Sequence, residues 1–335
     1  MSRTRSLVLA LFSASAFVAC KSNSTSPDAD VGPKLPTRMH VETYPEGGVK
    51  LTQTQVEISP GQWVVTGPTA SFYPTGRKDF EGHLKDGQKD GYWIYFFANT
   101  NKEAEGNYID GVSEGGWLFC KENGRVIQQG LFEGGKATGE WTYSWPRNGA
   151  KQARGNFQNG VMTGTWTYWD EDGHKTEAGS FTNGLQQGEW ITWHANGKMA
   201  SRGAFKDGAK DGPWTYWHGD GARAKSGAFA ANREQGPWEF WYPNGKPMQA
   251  GSFAVGLEDG PWTFWHDNGQ KSEEGAYGRG LSQGSWAAWY PNGKLRWQGE
   301  YKNGLAQGAW SYFDDAGNPT SRSEYADGRL ATPGT

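Results

Sequence analysis

Cysteine is nearly absent. Only Cys20 and Cys120 occur in 335 residues, which excludes the disulfide framework that staples small secreted folds. No charge sign dominates: 33 Lys plus Arg stand against 36 Asp plus Glu, a formal net charge of −3. That balance gives no general attraction to nucleic acid or anionic lipid. Apolar residues make up only 35% of the chain, and aromatics alone account for 15%. So few aliphatic side chains cannot fill an ordinary globular core. What the chain does have is glycine, 50 residues, with 19 Trp, 14 Tyr and 16 Phe. Glycine does not recur every third residue, so collagen is excluded. Helix is opposed by a cost of ~1 kcal/mol per helical Gly relative to Ala, and disorder by the wealth of aromatics.

The N-terminus reads as a secretory leader over residues 1–19. Arg3 and Arg5 form a basic start, and Leu7 to Val18 an apolar stretch shorter than the ~20 residues a membrane span needs. Phe17-Val18-Ala19-Cys20 resembles a bacterial lipobox, which implies cleavage before Cys20 and lipidation of its thiol. Residues 20–38, rich in Ser, Thr, Pro and Asp, read as a flexible tether. Lys21 follows the cysteine where Asp would favour inner-membrane retention. The expectation is therefore a bacterial cell-envelope, lipid-anchored protein, leaning towards the outer membrane. With Cys20 lipidated, Cys120 has no intrachain partner and reads as a small apolar substitute in an aromatic slot.

Self-comparison shows a repeat. Gly-x-Trp recurs with Trp at 93, 117, 141, 166, 190, 214, 238, 262, 286 and 310, spaced by 24 residues with one spacing of 25. These ten units occupy residues 91–328. Residues 39–90 form a degenerate N-terminal region, whose clearest copy starts at Trp63 with about six inserted residues. Tyr44-Pro45-Glu46-Gly47 reads as the stub of a further unit, and residues 329–335 as a tail.

Each unit reads as one β-hairpin. Trp238–Tyr242 is aromatic and strand-like. Pro243-Asn244-Gly245 then predicts a type I turn with a bulge, Pro243 fixing φ and Gly245 taking positive φ. The pairs Asn196-Gly197, Asn268-Gly269 and Asn292-Gly293 mark equivalent turns. Asn303-Gly304 and Asp207-Gly208 begin the return turns. Alternation puts Trp238, Phe240 and Tyr242 on one face, with Glu239 and Trp241 on the other. Gly251, thirteen residues after Trp238, lies across the hairpin. A two-residue turn would set it opposite Trp238, whereas the bulged turn favoured by Pro243 and Pro291 sets Ala250 there. Either register leaves room for an indole to lie flat over backbone within the hairpin. Asn232-Arg233, in place of Asn-Gly, weakens one unit.

The units resemble the MORN family, specifically its bacterial variant repeat. The pattern is nearly literal at Gly284-Ser285-Trp286, Tyr290-Pro291-Asn292-Gly293-Lys294 and Gly299-Glu300-Tyr301-Lys302-Asn303-Gly304. The fold expected is all-β: an elongated, twisted and curled antiparallel meander of ten to eleven tandem hairpins. Such arrays often occur in proteins named YwqK-type antitoxins, so the resemblance also implies a toxin-neutralising role.

No catalytic constellation stands out, and no cofactor or metal is expected. His194, His218 and His266 share one slot after the second Trp, but equivalent positions two strands apart are ~9.6 Å apart, too far to share one ion. Glu273-Glu274 and Asp314-Asp315 lie beside turns without a nucleophile. The expected function is a non-enzymatic protein-binding scaffold. Its candidate partner-binding aromatics are Trp169, Trp193, Trp217, Trp241, Trp265 and Trp289, since Trp offers large contact area at low entropic cost. The alternatives are a cell-wall saccharide- or choline-binding module and the antitoxin.

Overall fold

The structure, a computed structural model, describes residues 34–331. The leader, Cys20 and most of the tether lie outside the described residues, as do residues 332–335. Every regular element is a β-strand, and there is no helix among the described residues. The chain divides into two compact units, residues 34–173 and 174–331. The first holds eleven strands, from Thr37–Thr43 to Val161–Trp169. The second holds fifteen, from Lys175–Thr182 to Arg329–Leu330, two of which, Leu257–Glu258 and Gly260–Trp265, are one strand interrupted at Asp259. Within each unit, strands adjacent in sequence pair antiparallel. The all-β tandem-hairpin architecture expected from the repeat is therefore present. Two boundaries move: strand pairing already begins at Thr37, inside the expected tether, and Arg329–Leu330 pairs back onto Tyr325 and Ala326 where a tail was expected.

The hairpin Arg233–Trp241 with Pro247–Ala254 shows how sequence sets geometry. Gly245 N–H donates to Tyr242 O, Tyr242 N–H donates to Lys246 O (both 2.9 Å), and Gly245 takes φ 80°. This is the bulged type I turn that Pro243 favours. The register it was expected to enforce does not follow. Trp241 pairs with Pro247 but Phe240 pairs with Gln249, so Met248 is an extra residue in its strand. That second bulge moves the register by one and brings Gly251, not Ala250, opposite Trp238. The same shift recurs at Trp217 and Trp289.

Return turns are two-residue turns with both residues at positive φ, such as Asp207 (51°) with Gly208 (81°), the type I′ geometry that matches strand twist. In the irregular unit the turn is Ala231-Asn232 (φ 50° and 67°), with Ala230 paired to Arg233. Asn232 thus replaces the glycine and Arg233 opens the next strand, one position from the expected alignment. The Gly of Gly-x-Trp also has positive φ, 63° at Gly284, and its strand carries two extra residues there relative to the preceding strand.

The degenerate first copy is also placed differently. Thr69 pairs with Gly82 just as Trp93 pairs with Gly106. Thr69 is 4% exposed and lies 24 residues before Trp93. Gly67-Pro68-Thr69 is therefore Gly-x-Trp with Thr for Trp, and no insertion is needed. Trp63 lies in the strand Gln62–Phe72 with the Arg38 guanidinium 4.2 Å from its ring. Tyr44 does close a turn of the repeat type, donating to Gly48 O and accepting from Gly47 N–H.

The core is a pavement of aromatic rings on one face. Trp238 is 1% exposed. It meets Phe229 edge-on at 5.1 Å and Phe253 at 6.1 Å, and stacks on Phe240 at 5.9 Å, geometries favoured by the ring quadrupole. Its indole lies over Gly227 of the preceding strand, where an added Cβ would fall 2.2 Å from the ring. The indole N–H donates to Ala228 O at 3.1 Å. Gly251 likewise receives Trp262 of the following repeat, not Trp238 that faces it in register. The expected pairing of indole and glycine within one hairpin is thus corrected: each glycine receives the ring of the next repeat, so the contact joins neighbouring repeats.

Candidate functional site

The six candidate tryptophans end their strands on the face opposite the aromatic pavement, and all are half-buried. Four carry a cation over the ring: Lys151 on Trp169 (5.2 Å), Lys175 on Trp193 (6.0 Å), Arg223 on Trp241 (5.0 Å) and Lys271 on Trp289 (5.1 Å). The cation comes from the residue paired across the hairpin with the preceding end-of-strand position, as Arg223 is paired with Trp217. Each such contact is worth about 0.5–1 kcal/mol when exposed. At Trp217 and Trp265 the equivalent cation position holds Met199 and Pro247. These two rings carry no Lys or Arg among the described residues.

Beside this row, the turns form a hydrogen-bonded edge. Asn244 Oδ1 accepts from Lys246 N–H at 3.0 Å, fixing its own turn, and its amide donates to Asp267 O of the next turn at 2.8 Å. Asn196, Asn268 and Asn292 repeat both bonds. Gly197, Gly269 and Gly293 take φ of 80°, 88° and 81°. The slot after the second Trp serves the same edge. His194, His218 and His266 each place Nε2 2.8–2.9 Å from a Trp carbonyl one repeat on, and Tyr242 and Tyr290 donate their hydroxyls to the equivalent oxygen. A carbonyl only accepts, so each imidazole carries its proton on Nε2. These histidines hold repeat to repeat.

The sequence reading missed a feature on the aromatic pavement. Lys89 places its ammonium 4.8 Å from the Trp93 ring and 5.0 Å from both Tyr95 and Tyr108, and donates to Tyr95 Oη at 2.6 Å. Lys210 does the same among Trp214, Tyr216 and Phe229 (4.4–5.3 Å). Lys225 lies over Tyr216, Trp238 and Phe240. For Lys89 and Lys210 the available signal was a lysine four residues before a leading Trp. Burial lowers the pKa of Lys89, and of Lys210 and Lys225 against an opposing pull from Glu234. Burial, then neighbouring Glu234, pushes Tyr216 up to about 12. Stability should therefore fall as pH drops from the ordinary lysine range through the lowered lysine values, because the unfolded chain then binds the extra protons. The tyrosine contribution, complete below about pH 10, should be lost as pH rises towards 12. Urea midpoints measured across the alkaline range should peak near pH 10, and Lys210→Met should flatten the rising limb. A midpoint that declines steadily from neutral pH would contradict this.

The carboxylate pairs do not come together as acid and base. Glu273 is half-buried on the pavement, where burial raises its carboxyl pKa and Arg296 partly opposes. Glu274 pairs with Lys271. Asp314 accepts from Asn318 and Ala316 N–H in its own turn, which lowers its pKa. Cys120 lines a shallow cleft of about 770 Å³ with Phe97, Phe119 and Pro146. Burial first, then Glu105, raises its thiol pKa against a weaker pull from Lys102, the reverse of an activated nucleophile.

Tandem aromatic hairpins, joined by indole-over-glycine packing and a hydrogen-bonded turn edge, define a β-hairpin repeat protein. Residues 186–207, 234–254, 258–277 and 283–303 match the MORN repeat variant. No curated protein matches the chain. Among solved structures, the chain is similar to the Photorhabdus luminescens Tc holotoxin pore at 12% identity, with a TM-score of 0.17. That match covers 84% of this chain and 17% of the other, so the chain spans about a sixth of that protein's length.

Proposed function

We propose that this is a non-enzymatic, lipid-anchored envelope protein that binds a protein partner through its row of end-of-strand tryptophans. The observation that carries the reading is the pair Trp217 and Trp265, half-buried rings in the row whose neighbours are each covered by a lysine or arginine. An indole without a resident cation is a strong anchor for a partner, where one such contact contributes ~2 kcal/mol or more. The turn edge supports the reading by holding successive strands, and hence successive rings, in fixed spacing. The lipobox-like Cys20 supplies the anchor.

The test is capture from solubilised envelope membranes by the mature chain, beside the double variant Trp217→Ala, Trp265→Ala. Capture of one protein should fall about tenfold or more in the variant, while the melting curve stays close to that of the parent. Equal capture by both would reject the tryptophan row. Binding to purified peptidoglycan that is lost in the variant would instead favour the saccharide reading. Cys20→Ser should move the protein from the membrane to the soluble fraction; a variant that stays in the membrane argues against lipidation.

A further inference from the structure

The Lys89 cage has a counterpart. Trp310, Tyr312 and Tyr325 stand in the same register as Trp93, Tyr95 and Tyr108. The leading indole meets its second-position tyrosine at 6.1 Å and 27° in the first set and at 6.4 Å and 28° in the second. It meets the tyrosine of the following strand at 6.1 Å and 80°, against 5.9 Å and 72°. The two hydroxyls are 3.2 Å apart in one set and 3.3 Å in the other. A further ring flanks the indole in both, Phe80 at 5.6 Å and 36° and Trp297 at 5.1 Å and 32°, and Tyr301 also stands edge-on to Trp310 at 5.0 Å.

The two sites differ at the cation. Lys89 precedes Trp93 by four residues, whereas Ala306 precedes Trp310 by four. No Lys or Arg among the described residues lies over the three rings of the second set. Other repeats do not reproduce the arrangement, because Trp, Tyr and Tyr with paired hydroxyls occur together only at these two places among the described residues. The alanine at the same slot in another repeat, Ala137, is 2% exposed and closed over, while Ala306 is partly exposed.

We propose that Trp310, Tyr312 and Tyr325 bind a primary alkylammonium, specifically a lysine side chain presented by a partner polypeptide. Lys89 shows what the ring set accepts: a four-carbon stem ending in an ammonium, which meets three ring faces and donates to a tyrosine oxygen. The ring quadrupole attracts the charge, and the hydroxyl acceptor selects an ammonium with protons over a quaternary one. This site is independent of the tryptophan row, so its test stands whether or not that row binds a partner.

The probe is Nα-acetyl-lysine methylamide, titrated into the mature chain and followed by calorimetry and ring NMR shifts, with the norleucine analogue as the uncharged control. Saturable binding in the millimolar range is expected, at least tenfold tighter than the control. Ala306→Lys should abolish it, because the new side chain occupies the rings as Lys89 does in the first cage. Lys89→Ala should raise the stoichiometry from one to two, a gain that misfolding cannot mimic. Absence of saturable binding, or unchanged binding by Ala306→Lys, would overturn the proposal. Tighter binding of tetramethylammonium than of the lysine probe would overturn the ligand class. Preferential binding of phosphatidylethanolamine vesicles over lysine peptides would overturn the polypeptide source.

Discussion

Gly227→Ala should destabilise the 174–331 unit by about 3 kcal/mol, a drop in melting temperature of roughly 6–12 °C. The cause is one methyl group. A Cβ at Gly227 would lie 2.2–2.4 Å from three indole atoms of Trp238. That ring cannot swing aside, because Phe229 and Phe253 stand edge-on to it and Phe240 stacks beneath. Displacing it would also break the indole N–H bond to Ala228 O. Gly219→Ala is the control. A Cβ there meets nothing within 4 Å, and its φ is not positive, so the change should stay within about 0.5 kcal/mol. Scanning calorimetry of the two variants checks the difference. Equal melting of Gly227→Ala and Gly219→Ala would mean that the indole does not rest on the glycine.

Trp238→Ala should cost about 4 kcal/mol, in the range for deleting a fully buried large aromatic. The ring is 1% exposed and touches three other rings, and its removal leaves Ala228 O without its donor. Where the loss falls is as informative as its size. Stability in a repeat array is close to a sum of nearest-neighbour terms. Amide exchange should therefore accelerate most in Arg223–Ala230, Arg233–Trp241 and Pro247–Ala254, the strands that hold the ring and its contacts. Exchange in residues 34–173 should change little. Equal acceleration in both units would show that the chain unfolds as one cooperative block.

Much of this was legible in the sequence because turn chemistry is local. Pro243-Asn244-Gly245 specifies its turn through a fixed φ, an Asx hydrogen bond and a permitted positive φ, all within four residues. Asp207-Gly208 specifies the opposite turn in the same way. The aromatic alternation of Trp238, Phe240 and Trp241 assigned the two faces from strand geometry alone. The candidate tryptophans were found by that route, but not the state of their rings. Whether Arg223 covers Trp241, or Met199 stands where a cation would cover Trp217, depends on contacts across strands.

The misreadings share that origin. Ala250 was expected opposite Trp238 because a turn read alone fixes one register. Met248 bulges out between the Phe240–Gln249 and Trp241–Pro247 pairs, a shift that the turn alone does not encode. Thr69 could not be recognised as a leading residue by its chemistry; its place in the 24-residue spacing is shown by its pairing with Gly82. The Lys89, Lys210 and Lys225 cages were hidden for a related reason: a lysine on a strand reads as a solvated charge until a ring from a neighbouring strand closes over it.

The sequence by itself determined the 24-residue period, the hairpin in each unit, the chemistry of both turns and the aromatic character of both faces, since these depend on interactions within a few residues. Tertiary structure decided which glycine receives which indole, where each strand bulges, and which rings carry a resident cation. Those depend on steric exclusion and charge desolvation between strands of different repeats, where one added methyl group or one exchanged side chain changes the outcome while leaving the repeat pattern intact.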